Sequence, residues 1–352
     1  MRRIPLLYAL HSGNLYGTER MALATAAGLA DQFDPLILAP QGPALAEAQR
    51  MGMKAQAFSS TREFARLIRP LFSSSTNIAF IATGVVHSFC AFAVNAVYRR
   101  RLSHLHVVHG GTDERLSYGR KRLLNRSSAV LVAVSEFVRE RLIANGARSR
   151  NIHVIENFLP TTRTSGCLHR LPFNGSPITR AVVISRIDPI KRVDLLLDVL
   201  DREPALNPLQ IRVLGTGWDL ETLRARAKQT HPNVTFVGFV NDIESELANS
   251  DLLIHLCPAE PFGLAIIEAM AADVPVLVPD RGGAGSLVEK TTGYRFHADD
   301  PASLAESLLN IMRATPAELN GIVTQARGLL QSRFSPEARI NDYRNLLEEG
   351  LA

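Results

Sequence analysis

Apolar and polar positions alternate along the first half of the chain with a steady rhythm. Short apolar runs, Ile4 to Leu10, Asp34 to Leu38, Ile78 to Ala82, Leu105 to His109, Ala129 to Val134 and Ile152 to Ile155, are separated by longer stretches of helical periodicity. Runs of that length read as buried strands and the stretches between them as helices. Repeated strand and helix units build a parallel sheet with helices on both faces. Right-handed crossovers then bring every strand's C-terminal end to one edge, where ligands bind.

The second half repeats the rhythm. "AVVISRIDPIKRVDLLLDVL" gives a strand, a turn and an amphipathic helix, and "IRVLGTGWDLETL", "NVTFVGFVND", Asp251 to Leu256 and "VPVLVPDRGGAGSLVE" each give a strand followed by a turn. From there to the C-terminus the pattern is helical. One segment could mislead: Pro70 to Tyr98 carries no formal charge and ends at Arg99-Arg100-Arg101, the flank of a membrane span. Its interior Ser73-Ser74-Ser75, Gly84 and His87 favour instead a strand, Ile78 to Ala82, and a buried helix, Phe89 to Tyr98.

A chain of 352 residues is long enough for two domains, each with its own core. The boundaries read as a first domain over 1–157, a linker over 158–178 rich in Pro, Thr, Ser and Gly, a second domain over 179–335, and a last helix over 336–352. With 46% hydrophobic and 21% charged residues the balance is that of a soluble protein. Cys90, Cys167 and Cys257 are odd in number and lack metal-ligand spacing, which points to a reducing cytoplasm. The apolar run of "MRRIPLLYAL" is too short for a secretory signal and reads as the first strand.

Charge is uneven. Residues 1–175 hold 22 Lys and Arg against 10 Asp and Glu, net +12, and the remainder hold 17 against 24, net −7. A basic first half suggests an anionic partner there, a membrane surface or an acidic acceptor. No nucleic-acid motif accompanies the charge, so nucleic acid is not expected.

The candidate chemistry gathers at the predicted strand ends. In Glu260-Pro-Phe-Gly-Leu-Ala-Ile-Ile-Glu268 a strand gives way to a turn and a helix start. Pro261 suits a first helical turn, Gly263 allows close approach to the backbone, and the amides of Phe262, Gly263 and Leu264 lie where a helix N-terminus attracts anions. Phosphate-seeking amides beside two hydroxyl-seeking carboxylates fit a sugar nucleotide. Arg186 and Lys191 stand five apart across a turn, so both can swing to one anion. Gly13 and Gly17 keep the loop after the first strand clear of side chains, and Gly215 marks another glycine turn. His109 ends a strand at the same edge, and His87 is a weaker candidate on the acceptor side. No Asp-x-Asp pair is present, so no metal is expected.

The block "EPFGLAIIEAMAADVPVLVPDRGG", with "HSGNLYGTER", "LHVVHGGTDE" and "AVVISRIDPIKR", resembles the signature of the family 4 retaining glycosyltransferases. The resemblance implies the α/β GT-B fold: two Rossmann-like doubly wound domains with a cleft between them, and a C-terminal helix crossing back to the first. It implies that Arg186 and Lys191 grip the donor pyrophosphate, that Glu268 holds the ribose, and that Val237 and Phe239 lie along the base. It places Glu260 and His109 at the transferred hexose, as catalytic residues, Gly17 and Gly215 on the donor side near the phosphates, and Gly13 with His87 on the acceptor side. The chain departs from the family pattern at Phe158, Ser185, Arg192 and Asp273, each where Gly is frequent.

The expected activity is a metal-independent hexosyltransferase (EC 2.4) with no cofactor. It takes a UDP- or GDP-linked sugar and a glycan or lipid-linked acceptor, in cell-envelope or exopolysaccharide synthesis, in the cytoplasm and peripherally on the inner membrane face. A GT-B sugar-nucleotide epimerase and a non-catalytic sugar-nucleotide-binding scaffold are the alternatives.

Overall fold

Each half of the chain folds around an all-parallel sheet, as the hydrophobic rhythm predicts. The computed structural model describes residues 3–111, 113–160, 168–175 and 178–352. Cys167, with residues 161–167 and 176–177 of the expected linker, lies outside the described residues. The chain divides into two units, Met1–Pro160 with Pro336–Ala352, and Thr161–Ser335.

The first unit holds β1 (Ile4–Ala9), β2 (Phe33–Ala39), β3 (Lys54–Ala57), β4 (Asn77–Ala82), β5 (Arg101–Val108), β6 (Val130–Ala133) and β7 (Ile152–Val154). Their order is β3-β2-β1-β4-β5-β6-β7. The winding reverses between β1 and β4, which pair in parallel from Leu6↔Ala79 to Ala9↔Ala82. Phe64, Ile68 and Phe72 fall four apart on the helix Thr61–Ser74 and are fully buried against Phe80 of β4 and its neighbours. Each such side chain contributes about 1.5–3 kcal/mol by leaving water. Ser60 caps that helix by accepting from the Glu63 amide at 3.2 Å.

β3 has no counterpart in the sequence reading. It is an exposed edge strand of four residues, Lys-Ala-Gln-Ala, which needs no apolar face. The segment after β4 also differs: its helix begins at Val85, and Val86, Phe89 and Val97 are exposed, so it is not buried all round. No described helix is long and apolar enough to cross a membrane.

The helix Pro336–Glu349 packs on β5 and on the helix Gly17–Gly28. It buries Ile340, Tyr343 and Leu347. A Cβ on Gly28 would lie 2.6 Å from Ile340, so the two helices meet at a position where only glycine fits without movement. Arg344 bonds Asp31 at 2.9 Å across the same contact.

The second unit holds β8 (Arg180–Ile184), β9 (Gln210–Leu214), β10 (Val234–Gly238), β11 (Leu252–Ile254), β12 (Val276–Pro279) and β13 (Tyr294–Phe296), in the order β10-β9-β8-β11-β12-β13. Here the winding reverses between β8 and β11. Buried Asp251 fastens the opposite end of the sheet, accepting from Arg170 at 2.9 Å, Arg180 at 3.0 Å and the Thr179 amide at 3.2 Å. Both ends of the stretch read as a linker are packed: Phe158 is buried in the first unit, and Phe173 in the second, where its amide donates to Asn320 at 3.0 Å.

Candidate active site

In a doubly wound sheet the crevice for a ligand opens where the strand order reverses, at the strands' C-terminal ends. In the second unit that is the space after β8 and β11. Lys191 follows β8, in the short turn Pro189–Lys191, and Glu260 follows β11. The Lys191 Nζ donates to Glu260 Oε2 at 2.6 Å, and His255 Nε2 lies 3.4 Å from the same oxygen. The three side chains are only 15%, 14% and 5% exposed, so this is a buried charged cluster. Burial alone would favour neutral Glu260, but Lys191 and then His255 outweigh it and hold the carboxyl far below its usual range. For Lys191, burial works against the charge and Glu260 more than restores it, so its pKa is raised.

The backbone around the cluster is built on close approaches. The Gly283 amide donates to the Glu260 carbonyl at 2.6 Å, and a Cβ on Gly283 would stand 2.2 Å from the Pro261 carbonyl oxygen. Gly215 has φ +133°, and a Cβ there would lie 1.8 Å from the Ser185 oxygen, so the loops after β8 and β9 touch through it. Gly263 is left-handed at φ 105° and caps the helix Leu264–Ala271. Pro261 therefore lies in the turn before the helix, not in its first turn as its residue type suggested. Leu264 opens the helix, and its first amides have no intrahelical acceptor. Phe262 is buried edge-on against Phe334, with ring centroids 5.8 Å apart.

Glu268 is half-buried on that helix as its fifth residue, little more than one turn in, because the helix starts only at Leu264. Arg186 is exposed and pairs with Asp188 at 3.0 Å, so without a ligand it and Lys191 are held by different carboxylates rather than poised together. Val237 and Phe239 are exposed on either side of left-handed Gly238, at the end of β10. Two departures from the family pattern find an explanation here. Arg192 and Asp273 both adopt left-handed backbone, φ 55° and 63°, the conformation glycine supplies without strain. Arg192 is tied to Asp299, and Asp273 to Arg327 at 2.5 Å and His169 at 3.0 Å. The ion pairs hold the same turn that glycine would make.

In the first unit the candidates behave differently. Gly13 is required by a close approach, since a Cβ would stand 2.4 Å from the Pro40 oxygen, and Gly17 opens the helix Gly17–Gly28. His87 is buried between Phe58 and Phe64, with ring centroids at 5.0 and 4.8 Å, because the helix starting at Val85 turns it inward. Burial lowers its pKa to about 4. His109, just past β5, is half-buried with its Nε2 unpartnered, and burial lowers its pKa to about 3. Sequence reasoning missed His11, whose Nδ1 lies 2.8 Å from Thr83 Oγ1 at the β1/β4 reversal, and it missed His255. A polar residue inside the apolar run "LLIHLC" was the available signal for His255.

Solved structures share this architecture. The chain superposes with a TM-score of 0.81 on Anabaena HepE in complex with UDP and glucose, at 19% identity, covering 98% of this chain and 100% of that one. A glycosyltransferase from Rickettsia africae gives a TM-score of 0.83 at 17% identity, covering 100% and 99%. The fold is GT-B, two Rossmann-like doubly wound domains. The family described as "Glycosyltransferase Family 4" matches residues 16–163, and "Glycosyl transferases group 1" matches residues 177–326. The chain belongs to the family 4, group 1 glycosyltransferases, which use nucleotide sugars.

Among its curated relatives is the N-acetyl-alpha-D-glucosaminyl L-malate synthase of Bacillus anthracis, 22% identical over 288 residues, 78% of this chain and 75% of that protein. Another is a GDP-mannose-dependent alpha-mannosyltransferase of Mycobacterium tuberculosis, 29% identical over 174 residues, 47% and 43% of the two chains.

Proposed function

We propose that the protein is a retaining, metal-independent hexosyltransferase that moves a hexose from a UDP- or GDP-linked donor to a glycan or lipid-linked acceptor. The observation that carries this reading is the buried Lys191–Glu260 pair at the strand-order reversal of the second sheet. Breaking the bond from sugar to diphosphate develops negative charge on a phosphate oxygen. Lys191, Arg186 and the amides of Phe262, Gly263 and Leu264 supply positive ends for it once the ligand draws the two side chains from their carboxylates. When the diphosphate arrives it competes with Glu260 for Lys191, and the released carboxylate accepts from hexose hydroxyls and stabilises an oxocarbenium-like transition state. Glu268 holds the ribose, Val237 and Phe239 border the base, and His109 is the first unit's candidate for acting on the transferred sugar. The left-handed turns kept by Arg192 and Asp273 weigh against a degenerate scaffold.

Work at the inner membrane face, in envelope or exopolysaccharide synthesis, is part of the same proposal. It is supported by Arg115, Arg120 and Arg122 around exposed Leu116 and Leu123 on the first unit.

The test is a thermal-shift series with UDP, GDP and their hexose conjugates on the wild type and on Lys191→Ala, in EDTA. One nucleotide family should raise the wild-type midpoint by several degrees and leave the variant unmoved, because a ligand of the folded state stabilises in proportion to its affinity. Conversion of donor alone would indicate an epimerase. No shift with any nucleotide would sink the donor site.

A further inference from the structure

Lys121 is 9% exposed, and its Nζ donates to the Leu116 carbonyl at 3.0 Å, but it forms no ion pair among the described residues. Every Asp and Glu of the chain lies among those residues. A buried ammonium normally has a counter-charge. Arg120, His106 and His11 lie within electrostatic reach of this one, all of them cations or potential cations.

Around Lys121 the hydrogen bonding is also incomplete. Fully buried His106 has its Nδ1 2.9 Å from Ser88 Oγ, and His104 Nε2 is 3.1 Å from the same hydroxyl. Ser88 can donate only one proton, so the three groups form a relay. If it runs from His104 through Ser88 to His106, the Nε2–H of His106 is left as a donor. That Nε2 has no partner, and neither does Nε2 of His109. In that direction an orphaned buried donor near an uncompensated ammonium asks for an acceptor that carries charge.

The position is that of a ligand site. His11 follows β1, Thr83 follows β4 and His109 follows β5, so the group lies at the C-terminal edge of the first sheet, from the strand-order reversal outward. We infer that Lys121, with His11 and His106, forms a site for a compact oxyanion, a phosphate or carboxylate carried by the acceptor. This rests on reading the protein as a glycosyltransferase whose acceptor binds the first unit. It narrows the acceptor to one with an anionic group next to the hydroxyl that receives the sugar. A neutral glycan would leave Lys121 uncompensated.

The experiment uses the full chain, wild type and Lys121→Met, in thermal shift with glycerol 3-phosphate, with glycerol, and with vesicles of phosphatidylcholine containing phosphatidic acid. Glycerol 3-phosphate should raise the wild-type midpoint by several degrees in a saturable way, glycerol should not, and Lys121→Met should lose the shift. Relieved of its buried charge, Lys121→Met should melt at or above the wild-type temperature without ligand. A shift seen only with vesicles assigns the anion to a lipid headgroup, and one with soluble phosphate assigns it to a small molecule. An equal shift in the variant, or none in the wild type with any phosphate, overturns the site.

Whichever of UDP and GDP shifts the wild type serves as the internal control, since that shift belongs to the second unit and should survive in Lys121→Met. No shift of the wild type with either nucleotide would count against the donor reading and leave the anion result standing. If Lys121→Met does not fold, the imidazole nitrogen resonances of wild-type His11 and His106 decide: they must move on titration with glycerol 3-phosphate, and unmoved resonances refute the inference.

Discussion

At the reversal of the first sheet, where β1 lies beside β4, His11 is hydrogen-bonded to Thr83; at the reversal of the second, where β8 lies beside β11, Lys191 is ion-paired with Glu260. The two sheets wind in the same sense and differ by one edge strand, so the backbone offers each the same kind of crevice. The first is furnished with imidazoles held neutral by burial, the second with a buried carboxylate and ammonium that keep each other charged. Topology therefore fixes where chemistry can happen, and the few residues after each strand fix what it is.

Acidification should separate the two units most strongly. Burial lowers His87 to about 4 and His104 and His109 to about 3, and it drives His106 well below its ordinary 6.5. An unfolded chain takes up these protons below about pH 6.5 while the folded unit refuses them. Each histidine then removes about 1.4 kcal/mol of stability per pH unit until its folded value is reached. Four together consume a typical stability of about 5–15 kcal/mol within roughly two units. The second unit's Glu260 is depressed, so its contribution persists down to its ordinary carboxylate range and fades only below that. Hydrogen exchange between pH 7.5 and 5 should show β1, β4 and β5 opening while β8 and β11 stay protected. Simultaneous opening of both sheets would erase the contrast.

A smaller but still large effect belongs to the charged pair. Lys191→Met or Glu260→Gln alone leaves one buried group without its partner and should cost about 3–5 kcal/mol in urea unfolding, whereas the double variant should recover part of that loss. Equal, additive losses would mean the pair is not coupled. The mildest test sharpens the first unit's side: Ser88→Ala removes the hydroxyl shared by His104 and His106 and should cost about 1–3 kcal/mol, with no change in the shift induced by the donor nucleotide.

Much of the fold was legible because most strands are buried and so read as apolar runs. β3 was not, since an exposed edge strand of Lys-Ala-Gln-Ala has no hydrophobic signature, and neither was β13, whose three residues Tyr294–Phe296 fall in the stretch read as helical and are too short to show a period of their own. In the site, Glu260, Glu268, Arg186 and Lys191 stood out as charges beside glycine turns, but their partners did not. The Arg186–Asp188 pair is local, two residues apart in one loop, but that Lys191 rests on Glu260 depends on loops from different strands meeting, a long-range fact that no local pattern carries. Pro261 misled because its preference for a first helical turn is matched by its fitness for the tight turn just before one. His104 and His106 of β5 were not singled out, although their alternation in "HLHVV" places both on one face, and the shared Ser88 comes from a different element.

The helix Pro336–Glu349 gives the molecule an order of assembly. Its Ile340, Tyr343 and Leu347 belong to the core of the unit whose other residues come first in the chain. As the chain emerges from the ribosome, the second unit is the first to have all of its residues, although the first unit began earlier. Until the last helix docks, the groove over β5 and Gly28 stands open, and the early unit waits as an unfinished sheet for a segment synthesised after its neighbour is complete.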